Sequence, residues 1–117
     1  MQREPHVLLW DICHAADAVA AFTRGKGLAD YKEDPFLRSA VERQLIILGE
    51  AVVQLSKLTP DLADRIPERG SIIAFRNLLI HGYAAVVDEI VWEVIEDDLS
   101  ALRASAARLI EELTPGT

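Results

Sequence analysis

Apolar side chains recur along this chain at helical spacing. Leu8, Ile12, Ala15, Val19 and Phe22 follow one another at intervals of four and three and draw one stripe along a first helix, with Pro5 suited to its first turn. The segment "RGKGLADYKEDP" breaks the pattern with two glycines. It ends in Asp34-Pro35, a cap followed by a proline at the first helical position, so a second helix starts there. The stripe of that helix runs Leu37, Val41, Gln44/Leu45, Leu48, Val52, Leu55, while Ile46 and Val53 add apolar surface on another side. Such a helix is covered on two sides, either centrally in a bundle or by a second subunit. "LTPDLADRIPERG", punctuated by Pro60, Pro67 and Gly70, reads as a connection with room for one short turn. A third helix follows from about Ser71 to about His81. The last helix carries Trp92, Ile95, Leu99, Leu102, Ala106, Leu109 and Leu113 in three-four alternation, with Asp88 near its start as a cap. No strand pattern competes, so the expected fold is all-α, an antiparallel four-helix bundle forming one domain over residues 1–117.

Charge narrows the choice of partners. The chain has 117 residues, with Lys+Arg 12 against Asp+Glu 19, a net charge of −7. Bulk charge therefore repels polyanions, and any nucleic-acid site must be local. Cys13 is the single cysteine, which excludes an intrachain disulfide and offers no zinc cluster. His6, His14 and His81 have no helical i,i+4 partner that resembles a ligand set, so neither a metal nor a cofactor is expected. A basic region followed by an apolar stretch is lacking at the N-terminus, and no window approaches the roughly 20 apolar residues of a membrane span. The expectation is a cytoplasmic protein with no membrane partner.

The stretch "RNLLIHGY", Arg76 to Tyr83, sets three polar side chains in an aliphatic segment. With Arg76 at zero and 100° per residue, Leu78, Phe75, Gly82, Leu79 and Ile72 fall between about 200° and 320°, the natural core face. Tyr83, Arg76, Asn77 and His81 share the complementary arc with Ile73 and Ile80. Arg76 and His81 lie about 7.5 Å apart along the axis and flank a groove; Asn77 and His81, four apart, are close enough to hydrogen-bond. Each residue alone has an ordinary structural reading: a snorkelling arginine, a histidine at a helix C-terminus, a glycine cap, a half-buried tyrosine. Ile73 and Ile80 on the polar arc point to a covering that is not water, and a second subunit would serve. Glu50 follows Gly49 inside "LIILGEAVV" and has two readings: Gly49 admits close helix packing while Glu50 faces water, or Glu50 pairs with Arg76. Arg43, Arg24, Lys26, Arg65 and Arg69 either guide a phosphate backbone or are simply solvated.

Arg76, Asn77, His81 and Tyr83 match the R-polar-x3-H-x-Y pattern of HEPN domains. "ERQLIILGEA" (Glu42 to Ala51), "FRNLLIHGY" (Phe75 to Tyr83) and "EIVWEVIEDDL" (Glu89 to Leu99), in that order and at similar spacing, resemble more narrowly the HepT-like toxins that pair with a minimal nucleotidyltransferase antitoxin. The first helix matches only in its general pattern. Val87 stands where the family tends to have an aspartate and Asp88 follows, a shift of one residue that bears on the cap of the last helix and not on the site. The resemblance implies the toxin of a type II/VII-like pair, a metal-independent endoribonuclease whose homodimer brings two motif helices to one cleft. Its chemistry suits the residues: an imidazole, His81, to move the 2′-hydroxyl proton; a permanent cation, Arg76, to stabilise the phosphate; Asn77 to orient. It also implies that the nucleotidyltransferase partner transfers AMP to Tyr83. The alternative is a non-catalytic dimeric helical module that partners a nucleotidyltransferase, with "RNLLIHGY" serving the partner interface.

Overall fold

The hairpin of the two longest helices organises the molecule. In the computed structural model, which describes residues 4–82 and 86–113, α1 spans Pro5–Thr23 and α3 spans Pro35–Leu58, joined by a short α2, Leu28–Glu33. Pro5 stands at the start of α1 and Pro35 at the start of α3, where a missing amide proton costs no hydrogen bond. Asp34 caps α3 as the sequence predicts: its Oδ1 accepts from the amides of Phe36 at 3.0 Å and Leu37 at 3.1 Å. The predicted short turn after α3 is α4, Pro60–Ala63, and α5 runs Arg69–His81. Asp88–Glu93 forms α6, a π turn spans Val94–Asp98, and α7 completes the bundle over Leu99–Leu113. Every regular element among the described residues is helical, as the periodicity requires.

Side-chain pairs define how the helices run. Arg103 of α7 meets Asp17 of α1 at 3.1 and 3.3 Å and its carbonyl accepts from the thiol of Cys13, while Ala20 and Thr23 at the end of α1 line one pocket with Leu99 at the start of α7, so α7 lies antiparallel along α1. At one end Lys32 of α2 pairs with Glu89 of α6 at 2.9 Å. At the other, Arg65 makes a bidentate pair with Glu112 near the end of α7. α1 packs between α3 and α7, and α5 packs on α3. Leu8, Leu9, Ile12 and Val19 of α1 interleave with Val41, Val52 and Leu55 of α3 and Leu109 of α7, all essentially inaccessible. Among the described residues no helix is long and apolar enough to cross a membrane.

Three expectations are corrected. The glycine-marked break between the first two long helices contains α2, and its Tyr31 is fully buried, with its ring 5.6 Å from that of Trp92. Gly25, at φ 73°, makes the turn, and the Gly27 amide donates to Asp30 Oδ2 at 2.8 Å, so the glycines lead into a short helix. Asp88 is not the cap of the last helix. The capping position belongs to Val87, without a side-chain hydrogen bond, and Asp88 sits in the first turn, where a carboxylate favours the helix dipole but cannot close on the orphan amides. The π turn interrupts the expected continuous alternation, with Val91 and Trp92 buried before it and Leu99 after it.

Candidate active site

Gly49 decides how α5 sits. A Cβ there would lie 2.7 Å from Cγ of Arg76 and 3.6 Å from its Cα, so only a glycine lets α3 and α5 approach this closely at Arg76. Arg76 is consequently half-buried, its side chain 20% exposed, against the helix that the angular projection places behind it. The sequence-based view of Arg76 as standing clear of the core is thus corrected. Of the predicted core face of α5, only Leu79 is buried; Ile72, Phe75 and Leu78 are half-covered. An apolar cavity of about 130 Å³ between Ile72 and Phe75 of α5 and Leu99 and Leu102 of α7 accounts for part of that exposure.

The guanidinium of Arg76 is held at both ends. One terminal nitrogen, Nη2, donates to Glu50 Oε2, and the other, Nη1, donates to Asn77 Oδ1 at 2.7 Å. Its Nε is buried and has no acceptor among the described residues. The hydrogen bond from Arg76 holds the Glu50 carboxyl below its ordinary range against the opposing effect of burial, with Gln54 and the charges of Arg76 and Lys57 acting in the same direction as the bond. Both readings of Gly49 and Glu50 thus hold together: the glycine admits close packing, and the acid pairs with Arg76 while staying 41% exposed.

Asn77 is exposed and its oxygen is engaged by Arg76; among the described residues it makes no bond to His81. His81 is the last residue of α5 and is exposed, making no hydrogen bond or ion pair among the described residues. Gly82 closes the helix, its amide donating to the Leu78 carbonyl at 2.8 Å. A Cβ there would stand 3.1 Å from the Leu78 carbonyl oxygen, a tight backbone contact that glycine avoids. The residue expected to follow it as AMP acceptor, Tyr83, lies outside the described residues. Ile73 and Ile80 are half-buried on the arc they share with Arg76. Of the basic residues considered as guides for RNA, Arg65 is committed to Glu112 and Arg69 to Asp64 at 2.8 Å, whereas Arg24, Lys26 and Arg43 are exposed.

The all-helical bundle has the architecture expected of a HEPN-like protein. The family model described as "Ribonuclease HepT-like" matches residues 12–109, and the chain belongs to that family. Among relatives, it is 30% identical over 109 residues to a "Probable ribonuclease HepT" of Thermococcus cleftensis, covering 93% of this chain and 98% of that one. It is 28% identical over 110 residues, 94% and 97% of the two chains, to a "Putative RNase" of Caldanaerobacter subterraneus subsp. tengcongensis. It is also 27% identical over 113 residues to a "Gamma-glutamylcyclotransferase and putative RNase" of Methanocaldococcus jannaschii, where the match takes in 97% of this chain but only 50% of the longer relative. No solved structure matches the chain.

Proposed function

We propose that this chain, as a single helical domain over residues 1–117, is the toxin of a toxin–antitoxin pair and a metal-independent endoribonuclease. The observation that carries the reading is the Arg76 guanidinium, clamped by Glu50 and Asn77 on the helix that ends in the exposed His81. Arginine is the side chain best suited to a phosphate gaining charge in its transition state, and imidazole can take or give a proton near neutrality. Two copies related by a twofold axis would place two such sets in one cleft, joined across Ile46, Val53, Ile73 and Ile80, which are half-buried in the single chain.

The reaction that fits is internal transesterification. One His81 takes the 2′-hydroxyl proton as the 2′ oxygen attacks phosphorus. The P–O5′ bond breaks, and the His81 of the second copy gives its proton to the departing 5′ oxygen. The products are a 2′,3′-cyclic phosphate and a free 5′-hydroxyl. Arg76 counters the charge on the phosphoryl oxygens. A cognate minimal nucleotidyltransferase would act as antitoxin in the cytoplasm by transferring AMP to Tyr83.

Incubation of the purified chain with single-stranded RNA in EDTA, followed by end-group analysis, tests the reading. Cleavage leaving a cyclic phosphate, reduced about a hundredfold or more in His81→Ala and in Arg76→Lys, is the expected result. Wild-type cutting rates in both variants would refute the site. Tight binding of the nucleotidyltransferase with no cleavage of any RNA would favour the non-catalytic module instead.

A further inference from the structure

Two nitrogens of the Arg76 guanidinium are bonded, and the third is buried without an acceptor among the described residues. Nε is buried, Nη2 is bonded to Glu50 and Nη1 to Asn77, and the remaining N–H groups lie on the two terminal nitrogens. A phosphate cannot reach the buried Nε, so the pairing that uses Nε and Nη2 together is closed to it. What the guanidinium can still offer is the second N–H group on each of Nη1 and Nη2, its Nη edge. Which way this edge points depends on the partner that fixes Nη2, since Asn77 is the adjoining residue of the same helix and is exposed. Glu50 comes from α3, where the neighbouring Gly49 brings the two helices together.

We infer that Glu50 is the positioning residue for Arg76, anchoring the guanidinium from the neighbouring helix so that its Nη edge meets the RNA phosphate; this rests on the ribonuclease reading above. The carboxylate does not touch substrate in this role, and its charge works against phosphate affinity while its geometry favours the transition state. Loss of the anchor should therefore lower kcat without raising KM. A residue that only stabilised the fold would not separate the two constants this way.

The test compares Glu50→Ala, which removes anchor and charge, with Glu50→Gln, which keeps an acceptor at the same reach. In the full chain cleaving an RNA oligonucleotide, Glu50→Ala is expected to lose at least tenfold in kcat with KM unchanged or lower. Glu50→Gln is expected to recover most of that loss. In parallel, the arginine Nε–H spectrum of the 15N-labelled chain should contain one slowly exchanging signal that vanishes in Arg76→Lys, persists in Glu50→Gln and exchanges rapidly in Glu50→Ala. Should Glu50→Ala fail to fold, Glu50→Asp, which keeps the charge but falls a methylene short, is expected to show the same kcat loss. Wild-type kcat in the alanine or aspartate variant, or an Nε–H signal equally protected in it, would overturn the inference. If His81→Ala cuts like wild type, the ribonuclease reading fails on its own account, and the Nε–H signal alone decides whether Glu50 anchors Arg76.

Discussion

Gly49 of α3 and Arg76 of α5 are in contact where a side chain on the first would overlap the second: a Cβ on Gly49 would stand 2.7 Å from Arg76 Cγ. The atoms it would meet lie at the base of the arginine side chain, close to the α5 backbone. They cannot swing aside as a flexible tip could. Gly49→Ala should therefore push α5 away from α3, destabilise the protein by about 1–3 kcal/mol in urea unfolding, and misplace the guanidinium enough to cut RNA cleavage more than tenfold. A variant as stable and as active as wild type would show that α5 can shift freely.

Acid titration should separate two glutamates of opposite sign. Glu50, held below its ordinary range by the Arg76 hydrogen bond, contributes stability that is present above the unfolded value of 4.5 and lost as pH falls through its lower folded value. Glu42 is raised, first by burial and then by the nearby charge of Asp88, so its contribution is present below 4.5 and lost as pH rises through its higher folded value. At pH 7, Glu50→Gln should lower the urea midpoint and Glu42→Gln should raise it. Both differences should shrink when the pH is brought below the carboxylate range. Midpoints that moved in the same direction for both variants would contradict these environments.

Tyr31 is fully buried, and its hydroxyl has no hydrogen-bond partner among the described residues. Burial is also the main reason its phenol ionises less readily than usual. Tyr31→Phe keeps the ring against Trp92 and removes the desolvated oxygen, so it should be neutral or stabilising by about 1 kcal/mol. A loss of more than that in thermal or urea unfolding would reveal an acceptor for the hydroxyl.

Assembly is tested at the isoleucines. Light scattering at micromolar concentration should return twice the 12.9 kDa chain mass, and Ile80→Asp should return the single-chain mass with the helical content preserved. A wild-type monomer would leave the two-copy cleft without a basis.

The proposed transfer of AMP to Tyr83 is tested by Tyr83→Phe. Transfer from ATP joins the phenol oxygen to the α-phosphorus and expels pyrophosphate, adding bulk and negative charge to the motif. With the cognate nucleotidyltransferase and ATP, intact mass should show adducts on wild type and none on Tyr83→Phe, which stays active in the presence of the partner. Equal adducts on both would move the acceptor elsewhere, and Tyr31, the other tyrosine, is buried.

The helices with a long apolar stripe were legible from the chain itself, because burial of one face leaves a period of 3.6 whatever the neighbours are. Asp34-Pro35 likewise marks the start of α3 locally, through a side chain that reaches its own amides. The R-N-x3-H-x-Y motif and its two flanking blocks identified the family for the same reason: they are read in order along the sequence. What the sequence left open was settled by contacts between segments far apart in the chain. Tyr31 looks like a residue in a glycine-rich break until Trp92, some sixty positions later, covers it. The six residues of α2 are too few to show a period, and the π turn in the last helix changes the register without leaving a trace in the apolar spacing. Arg76 faces away from the core on a helical projection, yet it is half-buried, because a projection knows only one helix and Gly49 belongs to another. The polar residues of the motif were determined by the sequence. That the arginine is clamped, and that Glu50 is what clamps it, was decided by the close approach of α3 and α5, a distance no local pattern encodes.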